Sequence, residues 1–394
     1  MKTNYLYDVL QRLVAFDTVS THSNLPAIQF LADHFDRHGF TTALHRFDIA
    51  DVPHANLIAS AGPPHPGGLI ISGHIDTVPV EGQPGWNRDP FKLDIAGDRI
   101  YGRGTSDMKG FIAQCADAAR TLDRARLKRP LVFLFTADEE VGMRGSKGVA
   151  PALAGILGPV PRPDLAWIGE PTSFAVLHAH KCIGSFEVTV RGRGGHSGTP
   201  EQGVNAIAVM GKVLDTIGRL QLERRAARKT EFAAVFPDSP YDVMNFGTIA
   251  GGLAANIIAE ECRLRLSYRS LPDTDPLEIY HEVKRRLAAL DPHDYGSPDL
   301  TATIEVGAPI SIPSMMAPRG TALEKALFEV TGANTAIGAP FATDAAFFSG
   351  AGITSLICGP GDYDQAHRPN ESIRRDPFDH GPAIILQVID RLCC

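Results

Sequence analysis

The amino-acid sequence predicts an α/β protein whose main domain is built on a mostly parallel sheet. Two segments near the start, 4–15 and 25–38, carry apolar residues at helical spacing. Short runs rich in valine, isoleucine and leucine then recur at 56–60, 68–73, 131–137, 165–170 and 354–359. Continuous apolar runs of this length are typical of strands buried on both faces, and the intervening sequence supplies the helices that would cover them.

The sequence between about 180 and 291 differs from its surroundings and predicts an inserted domain. Its strands alternate apolar and polar residues, as in "CIGSFEVTVRG" at 182–192, which is typical of a sheet with one solvated face. With the strand predicted at 300–306, the order of elements is β-α-β-β-α-β, the ferredoxin-like pattern. We therefore expect the first part of the α/β domain at 1–179, an inserted α+β domain at 180–291, and the second part of the α/β domain at 292–394.

Composition argues against several classes of partner. The 394-residue chain has a formal net charge of −7, so neither nucleic acid nor an anionic membrane is expected as a partner. The first residues interleave charges with apolar side chains and so resemble no signal peptide, and no run approaches the ~20 apolar residues of a membrane span. The cysteines form neither a CxxC pair nor a disulfide framework, which favours a cytoplasmic enzyme with reduced thiols. They are Cys115, Cys182, Cys262, Cys358, Cys393 and Cys394.

Histidines and carboxylates follow several of the predicted strands. They are His74 after 68–73, Asp107 in a glycine-rich turn before a predicted helix, Glu139 and Glu140 after 131–137, Glu170 at the end of 165–170, and His367 after 354–359. Ligands of open α/β sheets bind beyond the carboxyl ends of the strands, so we expect these side chains to meet at one rim.

This set of side chains predicts a pair of divalent metal ions. Two histidines and three carboxylates can hold both ions if one carboxylate bridges them, and zinc accepts such nitrogen and oxygen donors. Neighbouring side chains point in different directions, so Glu139 and Glu140 would have different roles. One would bind metal and the other would act as general base. Asp76, two residues after His74, would fix the orientation of that histidine.

Each of these residues alone has an ordinary structural explanation. A His-x-Asp pair at a strand end is usually a surface hydrogen bond, and a carboxylate before a helix is usually a cap. A metal-free binding protein on the same scaffold is therefore an alternative. Other catalytic classes fit poorly, because "GGHSGT" is not the GxSxG of a serine hydrolase and "YGRGTSD" is not a dinucleotide fingerprint.

Longer stretches resemble the dinuclear zinc amidohydrolases, a family that includes acetylornithine deacetylase, succinyl-diaminopimelate desuccinylase, aminoacylase and glutamate carboxypeptidase. The matching stretches run in order along nearly the whole chain: "SGHIDTVPV", "GWNRDPF", "YGRGTSDMKGF", "TADEEVGMRGS", "IGEPTS", "GRGGHSGTPEQGVNAI", "NFGTIAGGLAANIIAEECRLRLSYRSLP" and "GPGDYDQAHRPNESI". The resemblance implies a zinc-exopeptidase-like catalytic domain whose inserted domain serves as a lid and as the contact of a homodimer, through helix 203–219 and an edge strand.

The resemblance also assigns roles to individual residues. His74, Asp107 and Glu170 would hold one metal ion, and Asp107, Glu140 and His367 the other, with Asp107 bridging. Glu139 would be the general base, and a cis peptide bond is expected between Asp107 and Met108. In the inserted domain, His196 would stabilise the oxyanion within its own subunit or across the dimer, while Asn256 and Arg269 would hold the substrate carboxylate.

Within this family, "TVSTHSNLP", "RGTSDMKGF" and "GPGDYDQAHRPNE" are most similar to acetylornithine deacetylases. The implied reaction is hydrolysis of an N-acyl L-amino acid, with N-acetyl-L-ornithine the leading substrate and arginine biosynthesis the setting. A desuccinylase, another aminoacylase and a dipeptidase are alternatives. One departure is Asp344 in "FATDAAFF", where such deacetylases tend to carry glutamate, and the choice between zinc and cobalt is open.

Overall fold

The computed structural model describes residues 4–296, 298–339 and 341–394. The α-helices are α1 (Tyr5–Ala15), α2 (Leu25–Arg37), α3 (Lys109–Thr121), α4 (Arg144–Leu157), α5 (Ala206–Ala226), α6 (Glu278–Ala288), α7 (Ala322–Thr331), α8 (Ala345–Gly350) and α9 (Arg375–Cys393). Short 3-10 helices occupy Arg124–Arg126, Pro200–Gln202, Thr230–Phe232 and Tyr363–Gln365. In the part of the chain described, no helix combines the length and apolarity needed to cross a lipid bilayer.

The strands lie between these helices. They are β1 (Thr41–Ile49), β2 (Val52–Ala61), β3 (Leu69–His74), β4 (Asp94–Ala96), β5 (Arg99–Tyr101), β6 (Leu131–Thr136), β7 (Leu165–Ile168), β8 (Val176–His180), β9 (Ile183–Arg191), β10 (Gly195–His196), β11 (Val243–Gly251), β12 (Ile257–Ile258), β13 (Glu261–Arg269), β14 (Thr303–Val306), β15 (Ile310–Ile312), β16 (Met315–Met316), β17 (Ala336–Ala339), β18 (Thr354–Ile357) and β19 (Ser372–Arg374).

The chain divides into two compact units. The first comprises the described residues within Met1–Ala179, Met315–Ile337 and Thr343–Cys394, and the second those within His180–Ser314 and Gly338–Ala342. The predicted inserted domain also starts at residue 180. Its predicted end at 291 differs from the structure, because β14 and β15 both pair with β9 and so belong to the second unit.

The first unit is built on a mixed sheet in the order β1-β2-β6-β3-β7-β18-β8-β16. Its central strands β6, β3, β7 and β18 are parallel neighbours, which confirms the predicted α/β class. Both faces are buried: Phe133 and Phe135 of β6 pack on Phe35 of α2 at ring-centroid distances of 5.1 and 5.7 Å, while Val132 and Leu134 are buried on the opposite face. This burial explains why these strands read as continuous apolar runs.

The second unit carries the β-α-β-β-α-β order predicted from the sequence, formed by β9, α5, β11, β13, α6 and β14. These strands lie in the antiparallel order β11-β13-β9-β14, which leaves β11 at an edge. Along β13, Cys262, Leu264 and Leu266 are buried whereas the alternate residues Arg263 and Arg265 are exposed, as the alternating sequence requires. Apolar residues of α5 and α6 complete this core.

Candidate metal centre

The parallel strands of the first unit bring the predicted metal ligands to one edge of the sheet. His74 is the last residue of β3, Glu139 and Glu140 follow β6, and Glu170 follows β7. His367 lies in the loop after β18, and Asp107 lies in the turn before α3. Because β6, β3, β7 and β18 are adjacent and parallel, their carboxyl ends place these side chains together.

One group of three potential ligands forms around His74. Its Nε2 atom lies 2.9 Å from Asp107 Oδ1 and 3.9 Å from Glu170 Oε2. All three side chains are buried, and one ligand atom from each lies within 4.8 Å of the other two. This spacing is suited to a cation that all three would coordinate.

A second group forms around His367 and uses the other oxygen of Asp107. The Nε2 atom of His367 lies 3.2 Å from Asp107 Oδ2 and 2.9 Å from Glu140 Oε2. Asp107 therefore presents Oδ1 to one histidine and Oδ2 to the other. A carboxylate in this position is suited to bridging two metal ions.

The electrostatics of the cluster also fit divalent cations. Burial, together with the nearby Asp107, raises the pKa of Glu140 to about 7, and burial raises the pKa of Glu170 well above its ordinary value. Hydrogen bonds to Asp107 and Glu140 raise the pKa of His367 to about 10. Among the described residues, the only ion pairs of these carboxylates are with His74 and His367. Cations would replace the protons that the metal-free cluster retains.

An unsatisfied oxygen points to the same conclusion. Glu170 Oε1 is buried and has no hydrogen-bond partner among the described residues. A buried carboxylate oxygen without a donor carries a free-energy cost, which coordination to a cation would remove. The residues present therefore fit a pair of divalent metal ions.

The orientation of His74 differs in one respect from the sequence prediction. Its Nδ1 atom lies 3.0 Å from the backbone oxygen of Asp76 and 3.7 Å from the carboxylate, so the backbone makes the hydrogen bond. Since a carbonyl only accepts, Nδ1 carries the proton and Nε2 faces the cluster. The Asp76 carboxylate instead accepts from the backbone N–H groups of Glu139 and Glu140, at 3.1 and 3.3 Å.

Comparison with known proteins identifies the family. The sequence matches peptidase family M20/M25/M40 over residues 70–391, which is more than half of the chain. The chain belongs to this family. Strands β1 and β2, which precede this match, form one edge of the sheet.

Solved structures share the fold over nearly their full length. An M20 family metallo-carboxypeptidase of Sulfolobus solfataricus is 17% identical, with a TM-score of 0.79 and 99% of each chain covered. A tripeptidase of Staphylococcus aureus is 21% identical, with a TM-score of 0.75, 98% of this chain and 97% of that chain covered. A dinuclear metal-binding M20 peptidase of Bacillus subtilis is 15% identical, with a TM-score of 0.65 and coverages of 98% and 96%.

Glu139, the predicted general base, lies in the loop after β6, directly before Glu140. Burial and then the neighbouring Glu170 carboxylate raise its pKa well above the ordinary value. It belongs to neither group of potential ligands, although Glu140 beside it does. The peptide bond between Asp107 and Met108 is cis, which confirms the expectation for that turn.

The other three predicted site residues lie in the second unit. His196 of β10 pairs with Ile257 of β12, and the backbone N–H of Ser197 donates to the Asn256 carbonyl at 3.1 Å, so His196 and Asn256 are neighbours. His196 is exposed, and its Nδ1 accepts from the N–H of Gly198 at 3.0 Å. Arg269 is the last residue of β13.

Three residues near the metal centre received no site role from the sequence. Ser20 donates to Asp76 Oδ2 at 2.6 Å, and Glu371 accepts from the N–H of Asp107 at 3.0 Å. Asp344 is buried, accepts from Thr136 Oγ1 at 2.5 Å, and has its pKa raised to about 6 by burial. Ser20 and Glu371 are 56 and 264 residues away from these hydrogen-bond partners, so no local sequence pattern predicts the contacts. Glu371 does lie within the stretch "GPGDYDQAHRPNESI", which was a usable signal.

Proposed function

We propose that this M20 protein hydrolyses the amide bond of N-acyl L-amino acids and uses two divalent metal ions. The observation that carries the proposal is the position of Asp107, which presents one oxygen to His74 and the other to His367. Zinc suits the nitrogen and oxygen donors, and cobalt is an alternative. The proposed ligands are His74, Asp107 and Glu170 for one ion and Asp107, Glu140 and His367 for the other.

The proposed mechanism assigns the proton transfers to Glu139. When bound, the two cations would polarise the scissile carbonyl and increase the acidity of a water molecule. Glu139 would accept a proton from that water as it attacks the amide carbon, and would then donate the proton to the departing amine. Asp76 would keep Glu139 in place through the backbone hydrogen bond at 3.1 Å.

We propose roles in the reaction for three residues of the second unit. His196, from its own subunit or from the partner subunit, would donate a hydrogen bond to the developing oxyanion. Its Nδ1 accepts from a backbone N–H, which leaves Nε2 as the donor. Asn256 and Arg269 would bind the carboxylate of the substrate, for which a planar guanidinium is well suited.

N-acetyl-L-ornithine is the leading substrate, because "TVSTHSNLP", "RGTSDMKGF" and "GPGDYDQAHRPNE" are most similar to acetylornithine deacetylases. Hydrolysis would yield L-ornithine and acetate. Peptide hydrolysis is the second candidate, favoured by the similarity in fold to a tripeptidase and to a metallo-carboxypeptidase. A succinyl-diaminopimelate desuccinylase and a non-catalytic binding protein are the remaining alternatives.

A substrate panel tests this proposal. The purified protein, loaded with zinc or cobalt, is incubated with N-acetyl, N-formyl and N-succinyl amino acids and with dipeptides, and the released amine is quantified. We expect the highest kcat/KM for N-acetyl-L-ornithine, no activity on its D-isomer, and loss of activity after chelation that added metal reverses. A protein that binds two metal ions and cleaves none of these compounds would contradict the proposed function.

We also propose that the protein is a homodimer that pairs through the second unit. There β11 is an edge strand, and Ile249 on it is 54% exposed. An exposed apolar edge strand tends to pair with another chain. Light scattering should give twice the monomer mass, and Ile249→Lys should yield monomers of low activity. A fully active monomer would disprove a role of the dimer in turnover.

A further inference from the structure

Glu371 holds the backbone of the turn that carries Asp107. Its Oε1 accepts from the N–H groups of Ser106 and Asp107 at 2.9 and 3.0 Å. Its Oε2 accepts from the N–H of Gly104 at 3.0 Å and from Arg103 Nη1 at 2.8 Å. One buried carboxylate thus satisfies three backbone donors of a single turn. Gly104 has a φ of +81°, a conformation that glycine adopts readily. This conformation is part of the turn from which those three backbone N–H groups point to the Glu371 carboxylate.

Arg103 extends this arrangement towards the second histidine. The side chains of Arg103 and Glu371 are each only 1% exposed. The Nη2 atom of Arg103 donates to the Gln83 side-chain oxygen, and Gln83 Nε2 lies 3.4 Å from the carbonyl oxygen of His367. A continuous set of contacts therefore runs from the Asp107 turn to the backbone of His367.

The loop that carries His367 is fixed from its other side as well. Asn370 Nδ2 donates to the carbonyl of Gly85 at 2.9 Å, and Asn370 Oδ1 accepts from the N–H of Asn87 at 3.1 Å. His367 itself has a φ of 60°, so its loop adopts a conformation that few non-glycine residues take without support. Glu371 directly follows Asn370, and the same short segment thus anchors both the Asp107 turn and the His367 loop.

We propose that Glu371, with Arg103, is a positioning residue that sets the distance between Asp107 and His367 and thereby the second metal position. The inference rests on the proposed function, because it assumes that both residues bind metal. Glu371 belongs to neither group of potential ligands, so it acts through the residues that do. Replacing a residue that holds a metal ligand in place typically lowers metal affinity by about 10–100-fold.

The test is Glu371→Gln in the full-length protein. A glutamine preserves the size of the side chain but replaces one acceptor oxygen by an NH₂ group. In one orientation of the amide, this NH₂ group faces the N–H groups of Ser106 and Asp107, and in the other it faces the N–H of Gly104 and the Arg103 guanidinium. Either way, a donor faces other donors and those hydrogen bonds are lost. Cobalt is used as the probe, with affinity from calorimetry and ligand geometry from the visible absorption spectrum.

We expect Glu371→Gln to weaken binding of one of two cobalt ions by about 10–100-fold and to alter the absorption spectrum. At saturating metal, kcat should fall while KM stays close to the wild-type value. Glu324→Gln is the matched control, because Glu324 is also buried and also accepts from an arginine, Arg319, and a backbone N–H. This control should keep both ions and the wild-type spectrum.

Two results would overturn the positioning role: wild-type affinity and spectrum in Glu371→Gln, or an equal loss in Glu324→Gln. If Glu371→Gln does not fold, Gln83→Ala replaces it. Gln83 is partly exposed, and its truncation removes the contacts with Arg103 and His367 but leaves every hydrogen bond of Glu371 in place. A wild type that binds two ions without hydrolysing any substrate would refute the proposed function, and the comparison of variants would still decide the role of Glu371. A wild type that binds fewer than two ions would overturn both.

Discussion

Replacing Glu139 by glutamine is expected to lower kcat by about 10²–10⁴-fold, the range that a general base contributes, without removing metal. Glutamine has nearly the same shape but cannot accept a proton from water. Glu139 belongs to neither group of potential ligands, so both ions should stay bound. Steady-state kinetics and elemental analysis of the same preparation provide the measurement.

The pH dependence separates a base from a merely polar neighbour. Burial and the Glu170 carboxylate raise the pKa of Glu139 well above its ordinary value in the metal-free protein. The two cations would lower this pKa in the loaded enzyme, because a nearby positive charge favours the ionised carboxylate. Since a base works only when deprotonated, kcat/KM of the metal-loaded wild type should rise with pH through the pKa that Glu139 has beside the cations, and the rise should be absent from Glu139→Gln. Wild-type activity in a variant loaded with two ions would show that Glu139 is not the base.

The parts of the fold predicted from sequence are those with a strong local signal. β3 and β6 are buried on both faces, and this burial requires the continuous apolar runs that the sequence displays. The end of the inserted domain lacks such a signal. The strand predicted at 300–306 completes the ferredoxin-like pattern although it lies beyond the predicted boundary at 291, and the structure pairs both β14 and the three-residue β15 with β9.

The difference at Asp76 has a simple geometric cause. Residues two apart share a face only while both lie on a strand. β3 ends at His74, so Asp76 lies beyond the strand and the alternation no longer applies. Its carboxylate turns towards the loop after β6, where it accepts from Glu139 and Glu140. An aspartate at this position correctly indicated a hydrogen-bond acceptor near the site. Which groups its carboxylate accepts from depended on where β3 ends.

Four of the five proposed metal ligands could be predicted together because each lies at or just beyond the end of a different parallel strand of the mixed sheet, whereas Asp107 lies in the turn before α3. His74, Glu140 and Glu170 all follow strands whose order in the sheet makes them neighbours. No comparable rule exists for Glu371, whose partners are backbone N–H groups about 265 residues earlier in the chain. Any carboxylate in a loop could accept such bonds, and only the folded structure shows which one does.

The proposed bridging role of Asp107 predicts the largest change in metal content. Asp107→Asn should lose both ions, because each group of ligands depends on one of its two oxygens. An amide offers one oxygen and no negative charge, so it cannot serve two cations. The loss of metal affinity should exceed the ~10–100-fold that is typical when a residue holding a ligand in place is replaced. Asparagine is nearly isosteric, and the backbone N–H that donates to Glu371 is unchanged.

Matched variants of the flanking ligands distinguish a bridge from two independent sites. Glu170 belongs only to the group around His74, and Glu140 only to the group around His367. Glu170→Gln and Glu140→Gln should therefore each reduce the stoichiometry by one ion, whereas Asp107→Asn should reduce it by two, as measured by elemental analysis after dialysis. If Asp107→Asn retained one ion with wild-type affinity, its carboxylate would serve a single cation, and the symmetric geometry around Oδ1 and Oδ2 would not reflect shared coordination.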